Sequence, residues 1–259
     1  LLDRAERLFA ELIETDAHTP ASLRSLLEIY QQEKDWQNAL EQAQRLEQVS
    51  GEHMGDVMAQ FCCEMAEAAL LENDREGARR QLKQARRHDP RCIRARFILA
   101  GISSQDGDDS TALGLYEEIA ELDPDYIPEF LEPYLELAEK AGERQRARSK
   151  LDEWAANYKG ISLVLKLTDF LIEEQGEAAA GRYLVETLNS KPSVRGLDHL
   201  IELKADGHLD AESSDDILRA VTTRLMSRQP AYRCNHCGFS GHTHHWQCPS
   251  CRKWSTTKK

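Results

Sequence analysis

No stretch of this 259-residue sequence approaches the roughly 18 to 20 consecutive apolar residues that a membrane-spanning helix needs. Aromatic residues are few, at 7%, and 14 glycines with 8 prolines are too few for a collagen-like or low-complexity chain. A glycine-rich phosphate loop, a nucleophile elbow and a histidine pair at metal-binding helical spacing are all missing. A non-enzymatic protein is therefore expected. Positive charge is also in short supply: 33 Lys/Arg stand against 45 Asp/Glu, a net −12, which argues against nucleic acid as a general ligand. That deficit is uneven. From Arg228 to Lys259 there are six Lys/Arg and no acid, which leaves 27 against 45, or −18, for residues 1–227.

What is present is a repeat. Small residues recur at Ala5, Ala39, Ala78, Ala112, Ala147 and Gly181, at intervals of 34, 39, 34, 35 and 34. Four positions after each stands a gap-filling residue: Phe9, Ala43, Leu82, Tyr116, Leu151 and Val185. Pro90 and Pro124 are likewise 34 apart and close helices in "RRHDP" and "ELDP". A period near 34 is the mark of a helix–turn–helix repeat, in which a small residue lets two antiparallel helices approach and each pair buries its apolar stripe on the next.

These residues resemble the tetratricopeptide (TPR) family. Leu23, Leu26, Leu27, Tyr30, Trp36, Ala39 and Leu46 fall on its pattern, as do Met65, Ala66, Ala69, Ala78, Leu82, Ala85 and Pro90 in the next unit. A third unit runs through Leu99 to Pro124 and a fourth through Leu131 to Leu151. A fifth, around Leu165 to Leu188, is weaker, with Asp169 and Gly181 where small apolar residues are usual. The expected fold is an all-α TPR solenoid, a right-handed superhelix of helix hairpins, over residues 1–193. "LLDRAERLFAELI" matches the second helix of a unit whose first helix is absent, so a truncated first unit is expected. Residues 194–229 read as two capping helices, the second N-capped by Ser213 or Ser214 with Asp215 and Asp216 in its first turn.

Residues 230–259 are different. Cys234-x-x-Cys237 and Cys248-x-x-Cys251 form two tight turns that each aim two thiolates at one point. Facing each other, they make a closed tetrahedral site that suits zinc and, as the alternative, a single iron. Gly238 and Pro249 suit such turns. His236, His242, His244 and His245 are competing ligands that a four-cysteine site does not need, and "SGHTHH" reads as a solvated loop. Tyr232, Phe239, Trp246 and Trp254 are expected to pack the module internally. Cys62, Cys63 and Cys92 fall in helical segments, where adjacent cysteines rarely suit a disulfide, and the whole pattern fits a reducing compartment.

In TPR solenoids the first helix of each unit lines a concave groove. Glu129, Glu132, Glu136 and Glu139 occupy those positions in the fourth unit, on one helix face, as a solvated acidic face or a stripe for a basic partner segment. The lysine and asparagine set of chaperone-tail-binding TPRs is missing, since earlier units carry Arg24, Glu28, Cys63 and Glu67. The five remaining histidines, His18, His53, His88, His199 and His208, read as loop or helix-end residues.

TPR units followed directly by "YRCNHCGF…WQCPSCRKW" resemble the lipopolysaccharide assembly protein B family. The resemblance implies a scaffold on the cytoplasmic face of the bacterial inner membrane, held by an N-terminal transmembrane helix. It would help the protease FtsH degrade the deacetylase LpxC, with a membrane regulator acting on the anchor. It also implies a rubredoxin-like module, liganded by Cys234, Cys237, Cys248 and Cys251, packed on the TPR body. We expect the metal-held module to dock on the last helices. Two other classes remain open: a nucleic-acid-binding zinc ribbon on a helical scaffold, and a one-electron redox protein.

Overall fold

The computed structural model describes residues 19–158, 160–190, 193–205 and 231–258. The expected first helix and the second capping helix, with Ser213 and Ser214, lie outside the described residues. Eleven α-helices are described. They are α1 (Thr19–Glu33), α2 (Trp36–Ser50), α3 (Gly55–Leu71), α4 (Arg75–His88), α5 (Ile93–Gln105), α6 (Asp109–Leu122), α7 (Ile127–Lys140), α8 (Arg144–Asn157), α9 (Ile161–Gln175), α10 (Glu177–Ser190) and α11 (Val194–Ala205). A single 3₁₀ turn, Pro124–Tyr126, precedes α7. Among the described residues no helix is long and apolar enough to cross a membrane.

The repeat expected from the sequence is built by a repeated turn. Lys34, Asn73, Gly107, Gly142 and Gly176 all adopt left-handed φ, between 59° and 83°, and each precedes the small residue of its unit by five positions. A reversal this short needs one left-handed residue, which glycine supplies without strain and Lys34 and Asn73 do not. Acidic residues then cap the second helix. Asp35 accepts a hydrogen bond from the Asn38 N–H at 3.1 Å, Asp74 from that of Gly77 at 2.7 Å, and Asp108 from that of Thr111 at 3.2 Å.

The chain divides into two compact units, residues 1–115 and 116–259. In the first, α1 packs on α2, α3 on α4, and α3 also meets α5, so successive first helices are neighbours as a hairpin repeat requires. Ala39, Ala78 and Ala112 are fully buried, as are Ala43 and Leu82 four residues further on. Cys62, Cys63 and Cys92 are packed in this core, and burial pushes the Cys62 thiol up to about 12. Arg94, only 3% exposed, is compensated by Glu64 and Glu67, both at 2.8 Å.

In the second unit α7 packs on α8, α9 on α10, and α9 touches both α7 and α11. Its core gathers several of the scarce aromatics. Tyr116 stacks on Phe130 with centroids 5.3 Å apart, and Trp154 meets the edges of Phe130 and Tyr134. The Tyr134 hydroxyl donates to Glu117 at 3.0 Å, and Arg146 binds the same carboxylate at 2.8 Å. The weak fifth unit is α9 with α10: Leu163, Val164 and Leu167 are buried, while Asp169 is half-exposed. His199 lies within α11 rather than at a helix end, between Asp169 at 3.4 Å and Glu202 at 3.6 Å. The unit also holds a small antiparallel sheet of β1 (Tyr232–Cys234), β2 (Ser240–Gly241) and β3 (Thr257–Lys258), ordered β2-β1-β3.

Candidate metal centre

The two C-x-x-C turns have the same hydrogen-bond plan. The N–H of Cys234 donates to the carbonyl of Phe239 at 2.7 Å, and that of Cys248 to Lys253 at 2.9 Å, each five residues on. The N–H of Gly238 returns to the Cys234 carbonyl, and that of Arg252 to the Cys248 carbonyl, both at 2.9 Å. The returning residue is left-handed in each case, with φ of 77° at Gly238 and 56° at Arg252. Gly238 is the residue expected in the first turn, whereas no sequence pattern marks Arg252 in the second.

The pairing brings all four thiols together. Cys234 Sγ lies 3.8 Å from Cys251 Sγ, Cys237 Sγ lies 3.7 Å from Cys248 Sγ, and all four atoms fall within 4.8 Å of one another. A tetrahedron with metal–sulfur bonds of about 2.3 Å has edges of about 3.8 Å, so the thiols already stand where four ligands of one ion should be. No histidine joins this cluster among the described residues. Contact with Thr256 and the N–H groups of Cys237 and His236 pull the Cys234 thiol down to about 5, against burial. The Phe239 N–H lowers Cys237. The Lys253 N–H lowers Cys251 too, but burial and the three neighbouring thiols push it up to about 11. Four crowded thiols cannot all ionise by themselves, and a dication at their centre removes that conflict. Cys234, Cys237, Cys248 and Cys251 would hold the ion, which supplies a structural cross-link with no open coordination position.

The module's aromatic residues do not all turn inward. Tyr232 and Trp246 each stand two residues before the first cysteine of a pair; Trp246 faces the 3₁₀ turn ahead of α7, and Tyr232 faces the first turn of α7. Trp246 stacks on Tyr126 with centroids 5.7 Å apart and planes at 16°. His244 stands edge-on to both rings and lies 5.6 Å from Tyr232. The Tyr232 hydroxyl donates to Glu129 at 3.0 Å. Lys258 reaches Asp123 at 2.6 Å and Asp125 at 3.2 Å, with its ammonium 5.2 Å from the Tyr126 ring centre. Tyr126 is left only 2% exposed.

Two expectations change. The described contacts of the module go to the 3₁₀ turn and the start of α7; the second of the last helices, on which docking was expected, lies outside the described residues. His244 is part of an aromatic stack rather than a solvated loop. Tyr232 and Trp246 serve docking, while Phe239 packs within the module against His245. The sequence carried a signal for this in "DPDY", where acids flank an aromatic residue just after a helix. By local pattern alone it marks a helix stop.

The four glutamates of α7 do share the helix, but three are engaged. Glu129 binds Tyr232, Glu132 pairs with Lys166 at 2.8 Å, and Glu139 pairs with Arg144 at 3.1 Å. Glu136 is exposed.

Residues 232–259 match the family described as a rubredoxin metal binding domain. Over 99% of its length the chain is 29% identical to lipopolysaccharide assembly protein B of Haemophilus influenzae, covering 65% of that protein. Over its whole length it is 28% identical to the Escherichia coli K12 protein of the same name, covering 67% of it. The chain thus spans about two thirds of the curated relatives it matches, and the expected resemblance holds from end to end. Among solved structures, that of Pseudomonas aeruginosa pilF overlaps 88% of this chain and 92% of its own, at 16% identity and a TM-score of 0.43.

Proposed function

We propose that this chain is the protein-binding part of a non-enzymatic adaptor in lipopolysaccharide assembly. Helix hairpins offer binding faces, and the four-cysteine module, with zinc as its ion, clamps the turn from which α7 starts. The observation that carries the reading is the joint between the two modules. Tyr232 and Trp246 are engaged against Tyr126 and Glu129, so the stacking platform a nucleic-acid reader needs is already occupied. The end-to-end similarity to proteins named for lipopolysaccharide assembly supplies the process.

In the finer form of the proposal, the adaptor works at the cytoplasmic face of the inner membrane. It is tethered there by a helix N-terminal to the chain and answers to a membrane regulator acting on that tether. It presents the deacetylase LpxC to the protease FtsH and so restrains lipopolysaccharide synthesis. The exposed remainder of the acidic face, centred on Glu136, is where a basic partner segment would bind.

The test is LpxC turnover in cells whose only copy of the full-length protein carries Cys234→Ser or Tyr126→Ala. Both variants should lengthen the LpxC half-life at equal adaptor levels. An unchanged half-life in both would overturn the proposal.

A further inference from the structure

The ribbon carries positive charge that neither the metal cluster's packing nor the docking joint uses. Residues 231–258 contain four Lys/Arg and no Asp/Glu. Lys258 is committed to Asp123 and Asp125. Arg233, Arg252 and Lys253 are exposed, and among the described residues none of them forms an ion pair. Strand alternation directs Arg233 away from the face that bears Tyr232. A Cβ on Gly238 would stand 3.8 Å from an Arg233 guanidinium nitrogen, so this group lies over the first turn of the metal site. Arg252 and Lys253 belong to the second turn. The cations therefore frame the solvent edge of the cluster, where Cys237 is exposed and Cys251 half-buried.

Arg252 is the telling residue. Its φ of 56° occupies the position that Gly238, with φ of 77°, fills in the matching turn. A side chain here is disfavoured by the backbone, and glycine would fold better. An unfavourable residue held at a regular turn points to a use for its side chain.

We propose that Arg233, Arg252 and Lys253 form a docking surface for an acidic segment of a protein partner. Two guanidinium forks suit carboxylates, each gripping one through paired N–H bonds. The alternatives fit the charge less well. Attachment to an anionic bilayer takes clusters of about four to eight cations, and this edge offers three. Nucleic acid is disfavoured by the −18 that residues 1–227 carry.

The zinc-loaded chain is titrated with a fluorescein-labelled poly-glutamate peptide, with phosphatidylglycerol vesicles and with single-stranded DNA. Arg252→Gly removes a cation while installing the residue that the turn prefers. It should weaken peptide binding roughly tenfold or more, with zinc content unchanged and thermal stability equal or higher. Arg233→Gln, which leaves both turns intact, should weaken binding in the same direction. Unaltered peptide affinity in both variants would overturn the proposal, as would tighter binding of vesicles or DNA than of the peptide.

Discussion

Lys258 shows how one side chain can hold a module in place. Burial opposes its charge, but the carboxylates of Asp123 and Asp125 outweigh that and raise its pKa above the ordinary 10.5. A raised folded pKa means that the stabilisation is fully present below 10.5 and is lost as pH rises through the higher, folded value. The joint should therefore be constant from neutral pH to about 10 and loosen above it, as reported by the fluorescence of Trp246 against Tyr126. Lys258→Met should abolish this alkaline transition and weaken docking by about 1 kcal/mol, since the pair is partly exposed. Tyr126 carries more. Its ring is shared by Trp246, His244 and Lys258, so truncation removes the whole contact surface.

At the scale of helices and turns, the repeat depends on two features that substitution can separate. One is the left-handed turn residue. Asn73 adopts φ of 61° where three other turns use glycine, so Asn73→Gly should stabilise the first unit by up to about 1 kcal/mol, seen as a raised melting temperature. The other is the small residue at the helix crossing. Ala78 has no exposed surface, and Ala78→Leu should cost about 1–3 kcal/mol by forcing α3 and α4 apart. The spacing of small residues predicted these crossings directly. The turns were less legible, because Lys34 does not announce a left-handed backbone and Asn73 does so less plainly than glycine.

Across the whole molecule, the ribbon is too small to hold its shape by apolar burial alone. Chelating the metal should unfold residues 231–258, which hold only three short strands. The helical signal should then fall little while Trp246 fluorescence shifts to that of a solvated indole. Loss of most of the helix signal on chelation would show that the metal supports far more than its own module. The candidate metal site was legible because four cysteines in two equal motifs declare both the chemistry and the grouping. The joint was not legible. Tyr126 lies 106 positions before Tyr232, and no local pattern connects them.

The sequence by itself determined the helix-hairpin repeat, the four metal ligands and the charge contrast between an acidic body and a basic end. Each of these follows from local spacing, because helix period, turn length and cysteine separation are short-range properties of a chain. Tertiary structure alone decided which face the module presents and which glutamates are already spent. It also decided that His244 packs edge-on against aromatic rings rather than hydrating, and that Arg252 sits where glycine belongs. Those outcomes depend on which distant surfaces meet, and a pattern read along the chain carries no term for a contact across more than a hundred residues.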